Sequence, residues 1–271
     1  MNMIIFSKDR PAQLELLLRS IRDYLIYKNF FCISILYKAT NSEYEEGYKI
    51  VKQTYPEYFY LDENKTGFKQ GTMLLIDKDR SYTTFLVDDD VFKVPFSITM
   101  LEFQKFVLDP SVLCFSLRMH RGINFCYTRN EDTPAPKDFV DGCKWDWTDP
   151  VLKEDWNYPM SLDGHIFRTE DILPLILQVN NMVNPNYLEG GLDQLKRKDK
   201  PYMICLGENS PIMNIPANRV QDFARNRHGN YSQKDINDRF LKKQIISIKN
   251  IAGIKNTAPH QEVSLEFEGL L

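Results

Sequence analysis

The opening stretch of the chain constrains its fold most. An apolar run, Met3-Ile4-Ile5-Phe6, stops at the polar turn Ser7-Lys8-Asp9-Arg10, and Pro11 stands where the first turn of a helix would begin. Beyond it Leu14, Leu17, Leu18, Ile21 and Leu25 recur at three- and four-residue spacing, with Glu15, Arg19 and Arg22 off that face. A strand that runs straight into an amphipathic helix needs a sheet for the helix to pack on, and the next residues supply one. Cys32-Ile33-Ser34-Ile35-Leu36-Tyr37 reads as a second strand, 43–54 as a helix rich in Tyr and Glu, and Phe59-Tyr60-Leu61 as a short third strand. A glycine-containing loop, Asn64 to Gly71, and a helix then lead to a strand at 83–87. Strands alternating with helices predict an α/β fold, a mostly parallel central sheet flanked by helices, whose ligands gather at the carboxyl ends of the strands. The polar loops at 7–10, 64–70 and 88–90 all fall at such ends.

After Pro95 the alternation loosens. The pattern predicts a helix at 97–107, a strand at 112–118, and a long loop holding Pro134, Pro136 and, between 145 and 156, all three tryptophans. A strand near 165–168, a helix from Thr169 through Val179 and an acidic helix start near 189 follow. From Ser232 the chain is more polar, with a weak helix near 234–246 and a late alternating stretch, Val263-Ser264-Leu265-Glu266-Phe267.

With 271 residues, 43% of them hydrophobic and 13% aromatic, the chain can bury a core as one domain. Its formal charge of −3, with both signs interspersed, points to no nucleic-acid surface and no polybasic anchor. The cysteines Cys32, Cys114, Cys126, Cys143 and Cys205 contain no CxxC pair, so reduced thiols are expected. Lys8-Asp9-Arg10 interrupts the only apolar run near the start, and no run reaches the roughly 18 apolar residues of a membrane span. A cytoplasmic protein is expected, with peripheral contact at the inner face of a membrane left open.

The chemistry-bearing feature is Asp88-Asp89-Asp90 after the apolar strand Thr84-Phe85-Leu86-Val87. Three carboxylates at a buried strand end need compensation, and a cation provides it. On an extended backbone Asp88 and Asp90 share one side while Asp89 faces the other. Hard oxygen donors suit Mn²⁺ or Mg²⁺, completed by waters and substrate phosphates. An EF-hand is excluded, because counting from Asp88 its glycine and glutamate positions hold Lys93 and Thr99. The plainer alternative is a solvated acidic turn. Arg10, Lys65 and Lys69 offer charge-assisted donors to a pyrophosphate, against ordinary surface charge as the plainer reading.

Taken together, Ile4-Ile5-Phe6-Ser7-Lys8-Asp9-Arg10 with its helix, the "DxD" run Asp88-Asp89-Asp90, the segment Asp163-Gly164-His165-Ile166-Phe167-Arg168, and Glu189 resemble the nucleotide-sugar-dependent glycosyltransferases of the GT-A fold, family-2-like, over roughly residues 3–230. The resemblance implies a GT-A-like, Rossmann-related domain at 1–231, with a nucleotide-binding part at 1–95, an acceptor-side part at 96–231, and a C-terminal extension at 232–271 packed on it. It implies that Ser7, Asp9, Arg10, Lys65, Lys69, Asp88 and Asp89 hold the nucleotide sugar, with Asp90 and Asp88 on the metal. His228, late in the domain, would complete the metal shell, and Arg225 and Arg227 beside it would neutralise the leaving diphosphate. For the acceptor base the resemblance points first to Glu189, although Gly190 stands where a second acid is expected; Asp193 comes next. Asp163 would position the donor sugar or acceptor. Trp145 and Trp147, two residues apart with acids nearby, would line an acceptor groove, since sugars stack apolar faces on aromatic rings; anchoring a long loop is their alternative role.

The expected activity is metal-dependent transfer of a sugar from a nucleoside-diphosphate sugar, UDP-sugar favoured, to a hydroxyl of a carbohydrate or glycolipid, in polysaccharide or glycoconjugate synthesis. Two rivals remain at this stage. A sugar-phosphate nucleotidyltransferase would carry a glycine-rich loop after the first strand, where Ser7 to Pro11 contain none; a carbohydrate-binding protein of the same fold would need no base.

Overall fold

The computed structural model describes residues 1–218 and 227–269. The first half follows the predicted alternation: β1 (Asn2–Lys8), α1 (Pro11–Tyr24), β2 (Cys32–Lys38), α2 (Ser42–Thr54), β3 (Phe59–Asp62), α3 (Glu63–Thr66), α4 (Phe68–Leu75) and β4 (Tyr82–Val87). Next come β5 (Asp90–Phe92), α5 (Leu101–Leu108), β6 (Val112–Ser116), the short β7 (Phe125–Cys126) and β8 (Glu131–Asp132), and β9 (Lys144–Asp146). The remainder is β10 (His165–Arg168), α6 (Thr169–Gln178), α7 (Pro185–Gln194), β11 (Tyr202–Cys205), β12 (Ile212–Asn214), α8 (Gln233–Leu241), β13 (Gln244–Ile246) and β14 (Phe267–Gly269).

The main sheet runs β3-β2-β1-β4-β10-β6-β11-β9. Its first four strands are parallel, β6 and β11 pair in parallel, and β10 lies antiparallel between β4 and β6. The sheet is therefore mixed and mostly parallel, and the expected α/β class, helices on both faces, is what the chain adopts. Alternate residues of β1 serve two cores. Met3 and Ile5 join Leu14, Leu17, Leu18 and Ile21 of α1, while Ile4 and Phe6 join Phe68, Phe85 and Phe167 on the other face.

Three local expectations change. The stretch expected as a loop at 64–71 is mostly helical, divided at Gly67, so Lys65 and Lys69 sit on α3 and α4. The acidic helix begins earlier than 189, because Asn184 caps it by accepting from the Tyr187 amide and Pro185 takes its first position. Glu15 and Arg19, predicted to face away from the core, are buried and paired, Nε to Oε1 at 3.1 Å, because β13 and α8 cover the outer side of α1. No helix among the described residues is long and apolar enough to cross a membrane.

Candidate active site

The antiparallel β10 builds the site. Its first residues lie where β4 and β6 end, so Asp163, just before β10, arrives beside the acidic turn after β4 and beside Arg118, which follows β6. Gly164 makes this junction: its φ is +77°, its amide donates to the Phe85 carbonyl at 2.8 Å, and its carbonyl accepts from Leu117 at 2.9 Å. A Cβ there would stand 2.1 Å from Ile212 Cδ1, so both conformation and space call for glycine.

Asp88-Asp89-Asp90 does not continue the extended strand. The chain turns, and the Val87 amide donates to Asp90 Oδ2 at 3.0 Å, so the alternating placement of the three carboxylates is replaced by three separate settings. Asp88 is buried, accepts from Ser7 Oγ at 2.9 Å and the Lys8 amide at 3.1 Å, and pairs with Arg10 at 3.0 Å. Asp89 pairs with the same Arg10 nitrogen at 2.9 Å. Asp90 is fully buried and takes a hydrogen bond from Asn214 at 3.3 Å; it has no ion pair among the described residues. Asn214 Nδ2 also reaches Asp89 at 3.1 Å, and Asn214 lies opposite Asp90 where β12 pairs with β5.

The second half of the cluster centres on Arg118, whose side chain is 4% exposed. It pairs with Asp155, and at 3.0 Å with Asp163 Oδ2, which also meets His260 Nε2 at 3.2 Å. Glu189 lies in the middle of α7, where the Tyr158 and Ser161 side chains and the Asp163 and Arg118 charges act on its carboxyl.

Electrostatics divides these acids. Burial pushes the Asp88 carboxyl up to about 6 against the pull of Arg10. Asp90 is raised well above the carboxylate range by burial, with the Asp163 charge adding to it. Glu189 is pushed up to about 8 by burial and the Asp163 charge, more than Arg118 offsets. Burial alone would raise Asp163 as well, but His260 and Arg118 outweigh it and hold that carboxyl below the usual range.

The remaining expected residues fall as follows. Ser7 bridges Asp88 and, at 2.7 Å, the Tyr48 hydroxyl. Asp9, at φ 56°, accepts from the Thr40 amide at 2.7 Å and hydroxyl at 2.9 Å, tying the loop after β1 to that after β2. Arg10, expected to face a diphosphate, is buried and engaged by Asp88, Asp89 and both oxygens of Asn218. Lys65 is 80% exposed with Asp62 at 3.9 Å, and Lys69 reaches the Val179 carbonyl at 3.4 Å, so neither meets the acids. Asp193 follows Glu189 by one helical turn and binds Lys196 at 2.8 Å. Arg227 is exposed and contacts Asn130, Glu262 and the Tyr127 ring, while Arg225 lies outside the described residues. His228 is exposed, its Nδ1 on the Gly229 carbonyl at 2.7 Å; the histidine that meets the acid cluster is His260.

The acceptor groove is corrected at its tryptophans. Trp145 is 0% and Trp147 3% exposed, their indole N–H groups donate to the Trp156 and Lys200 carbonyls, and Trp145 packs edge-on against Trp156 at 5.0 Å. Rings so enclosed anchor the long loop to the core and present no open face. Sequence reasoning missed Arg118, Asp155, Asn214 and His260. Arg118 could have been found from its place at the end of a predicted strand; His260 carries no local signal.

No family model matches the chain. Over 292 residues it is 27% identical to the bifunctional glycosyltransferase pgtA of Dictyostelium discoideum, an alignment that covers 91% of this chain and 37% of that protein. The chain thus spans little more than a third of the length of that curated relative. Among solved structures, S. aureus TarS matches 78% of the chain and 36% of its own, with a TM-score of 0.47 and 14% identity. The structure of TarS 1–349 in complex with UDP-GlcNAc matches 78% of the chain and 58% of its own, with a TM-score of 0.45 and 11% identity. The chain is therefore similar in sequence, over nearly all its length, to part of a glycosyltransferase, the class its motifs resemble.

Proposed function

We propose that this chain is a GT-A-like glycosyltransferase that moves a sugar from a nucleoside-diphosphate sugar, UDP-sugars being the first donors to test, to a hydroxyl of a carbohydrate or glycolipid acceptor. The observation that carries the reading is the convergence of Asp90, Asp163 and Glu189 at the carboxyl ends of β4 and β6, together with sequence similarity to a named glycosyltransferase. Acids brought together from three separate stretches of chain, two of them raised by burial and by a shared neighbour, mark a site built for chemistry.

In this reading Glu189 takes the acceptor hydroxyl's proton. Burial and the Asp163 charge push its carboxyl up to about 8, so a positive charge delivered beside Asp163 would favour the ionised base. Asp163, held ionised by Arg118 and His260, orients donor or acceptor hydroxyls. Ser7, Asp9 and Arg10 shape the nucleotide end, with Arg10 fixing Asp88 and Asp89 in place.

A divalent cation fits the donor set. Asp90 offers hard oxygens with no competing ion pair among the described residues. Among the described residues no three His, Cys, Asp or Glu side chains converge as a ready-made metal group; Mg²⁺ and Mn²⁺ can be held by one or two carboxylates, with water and phosphate in the other positions. Asp90 would hold the ion with the donor diphosphate, and the ion when bound supplies charge stabilisation to the departing phosphate oxygens.

The test is a panel of UDP-, GDP-, CDP- and dTDP-sugars with and without Mn²⁺, reading both transfer and release of nucleoside diphosphate. Asp90→Ala is expected to lose metal-dependent donor binding by calorimetry while staying folded. Unchanged affinity would overturn the metal assignment, and pyrophosphate release from a nucleoside triphosphate and a sugar phosphate would replace transfer with nucleotidyl chemistry.

A further inference from the structure

The polar C-terminal stretch reads in the sequence as an added arm, yet it is locked into the domain close to the acids. Lys93 Nζ donates to the Ile254 carbonyl at 2.9 Å, and the Gly253 amide returns a bond to the Lys93 carbonyl at 2.8 Å. Asn256, 1% exposed, accepts at its side chain from Ser210 Oγ at 3.1 Å, and its carbonyl meets His120 Nε2 at 2.9 Å. The Thr257 carbonyl accepts from the Asn124 and Phe125 amides. Pro259 and Gln261 then clasp the Asn214 backbone, carbonyl to amide and amide to carbonyl, both at 3.0 Å. Asn214 is the residue whose side chain holds Asp89 and Asp90. His260, between those two clasps, reaches Asp163 Oδ2 at 3.2 Å, the same oxygen that Arg118, from the segment after β6, holds at 3.0 Å.

We propose that His260 is a positioning residue for the reaction at this site, and that residues 256–262 form a wall of the active site, not an appendage. The inference rests on the glycosyltransferase reading above and adds to it a residue that acts through Asp163. Two contacts on one carboxylate oxygen fix its direction as neither could alone. A carboxylate that must meet a sugar hydroxyl gains from being fixed, because misplacement by 1 Å can cost about 10²-fold in rate.

The experiment compares wild type with His260→Ala and His260→Gln in the intact chain. For His260→Ala the expected result is a fall in kcat of about tenfold or more, with donor KM and Mn²⁺/UDP affinity by calorimetry unchanged. His260→Gln, whose amide can still donate to Asp163, should recover part of the loss. A fall in melting temperature with full kcat would assign the tail a structural role and overturn the inference. Loss of Mn²⁺ affinity in His260→Ala would make the histidine a metal ligand and overturn it equally. A urea-denaturation cycle with Asp163→Asn gives a readout without turnover: non-additive midpoints are expected, and additive ones would deny the contact. If wild type neither transfers nor hydrolyses any nucleotide sugar, the parent reading fails and the inference with it; an active wild type matched by His260→Ala sinks the inference alone.

Discussion

Arg118→Met tests the arrangement at its centre. The substitution roughly conserves volume but removes the cation that pairs with both Asp155 and Asp163, each at most 14% exposed. Removing one partner of a buried ion pair costs about 3–5 kcal/mol, because the other charge is left uncompensated. Two buried carboxylates lose their shared cation at once, Asp163 keeping only His260, which puts the expected loss at the upper end, about 5 kcal/mol, a large part of the roughly 5–15 kcal/mol that keeps a domain folded. At about 2–4 °C per kcal/mol for a chain somewhat shorter than this one, the melting temperature should fall by about 10–20 °C at pH 7.5. The loss should also depend on pH. In wild type the Asp163 carboxyl lies below its unfolded value, so its contribution is present above about pH 3.9 and disappears as pH falls through the folded value. Without Arg118 the Asp163 carboxyl loses one of the two partners that hold it down and shifts upward, so its penalty grows as pH rises above about 4. The variant should therefore lie closer to wild type at pH 4.5 than at pH 7.5. Arg118→Lys should fall between the two, since a single ammonium cannot span two carboxylates as the guanidinium fork does. Scanning calorimetry at both pH values decides it: a melting temperature within about 2 °C of wild type at pH 7.5, less than a kcal/mol by the same scaling, would refute the reasoning.

Gly164→Ala should lower the urea midpoint by the equivalent of at least about 1–3 kcal/mol for a non-glycine residue at φ +77°, with the 2.1 Å approach to Ile212 adding to it; an unchanged midpoint would mean that the junction relaxes freely. In wild type without ligand, Glu189 should make stability decline between about pH 4.3 and 8, because the folded state keeps a proton that the unfolded chain gives up. Glu189→Gln should flatten that slope in pH-dependent denaturation, spare donor binding and abolish transfer; an unchanged slope or full turnover would remove Glu189 from the role. Lys93, buried against the neutral acceptors Asn209 Oδ1, Ser210 O and Ile254 O, has its amine pulled down to about 7 by burial. Its contribution should therefore grow as pH rises from about 7 to 10.4, so the stability advantage of wild type over Lys93→Met should widen across that range and stay constant below it.

What was legible in the sequence is what local pattern controls. Apart from α3 and the start of α4, which fall in the stretch expected as a loop, the strands and helices as far as Val87 follow from apolar period and from Pro11, and β10 with α6 from the run His165–Val179. Signals were also present where the expectation erred: Asn184-Pro185 spells a helix cap that places Glu189 in mid-helix. The turn at Asp88–Asp90 was hidden because it depends on Asp90 bonding back to the Val87 amide and on β12 arriving from residue 212 onward. Trp145 and Trp147 misled for a related reason. Alternation tells which side of a strand a ring occupies, not whether another layer covers that side. His260 lay beyond local reading altogether, since its contact with Asp163 exists only through the path of a segment with neither periodicity nor a motif.

Six acidic side chains share this end of the sheet, and the way they are neutralised indicates where a ligand would act. Arg10 binds Asp88 and Asp89, and Arg118 binds Asp155 and Asp163, so each guanidinium answers two carboxylates in a fixed geometry. The clamps come from opposite sides of the β4–β10 junction, Arg10 after β1 and Arg118 after β6. Asp90 and Glu189 lie between these paired acids without a cation of their own among the described residues, and both respond by rising in pKa. A carboxylate already paired in place gains little from a further cation, whereas one kept protonated by burial and a neighbouring charge gains the ion pair, less the cost of giving up its proton, when positive charge arrives. The selectivity of the site for a cationic ligand is therefore expected to be set by the two acids that the arginines leave unpaired, and exchanging either arginine for a neutral residue would move that response onto the four acids now held fixed.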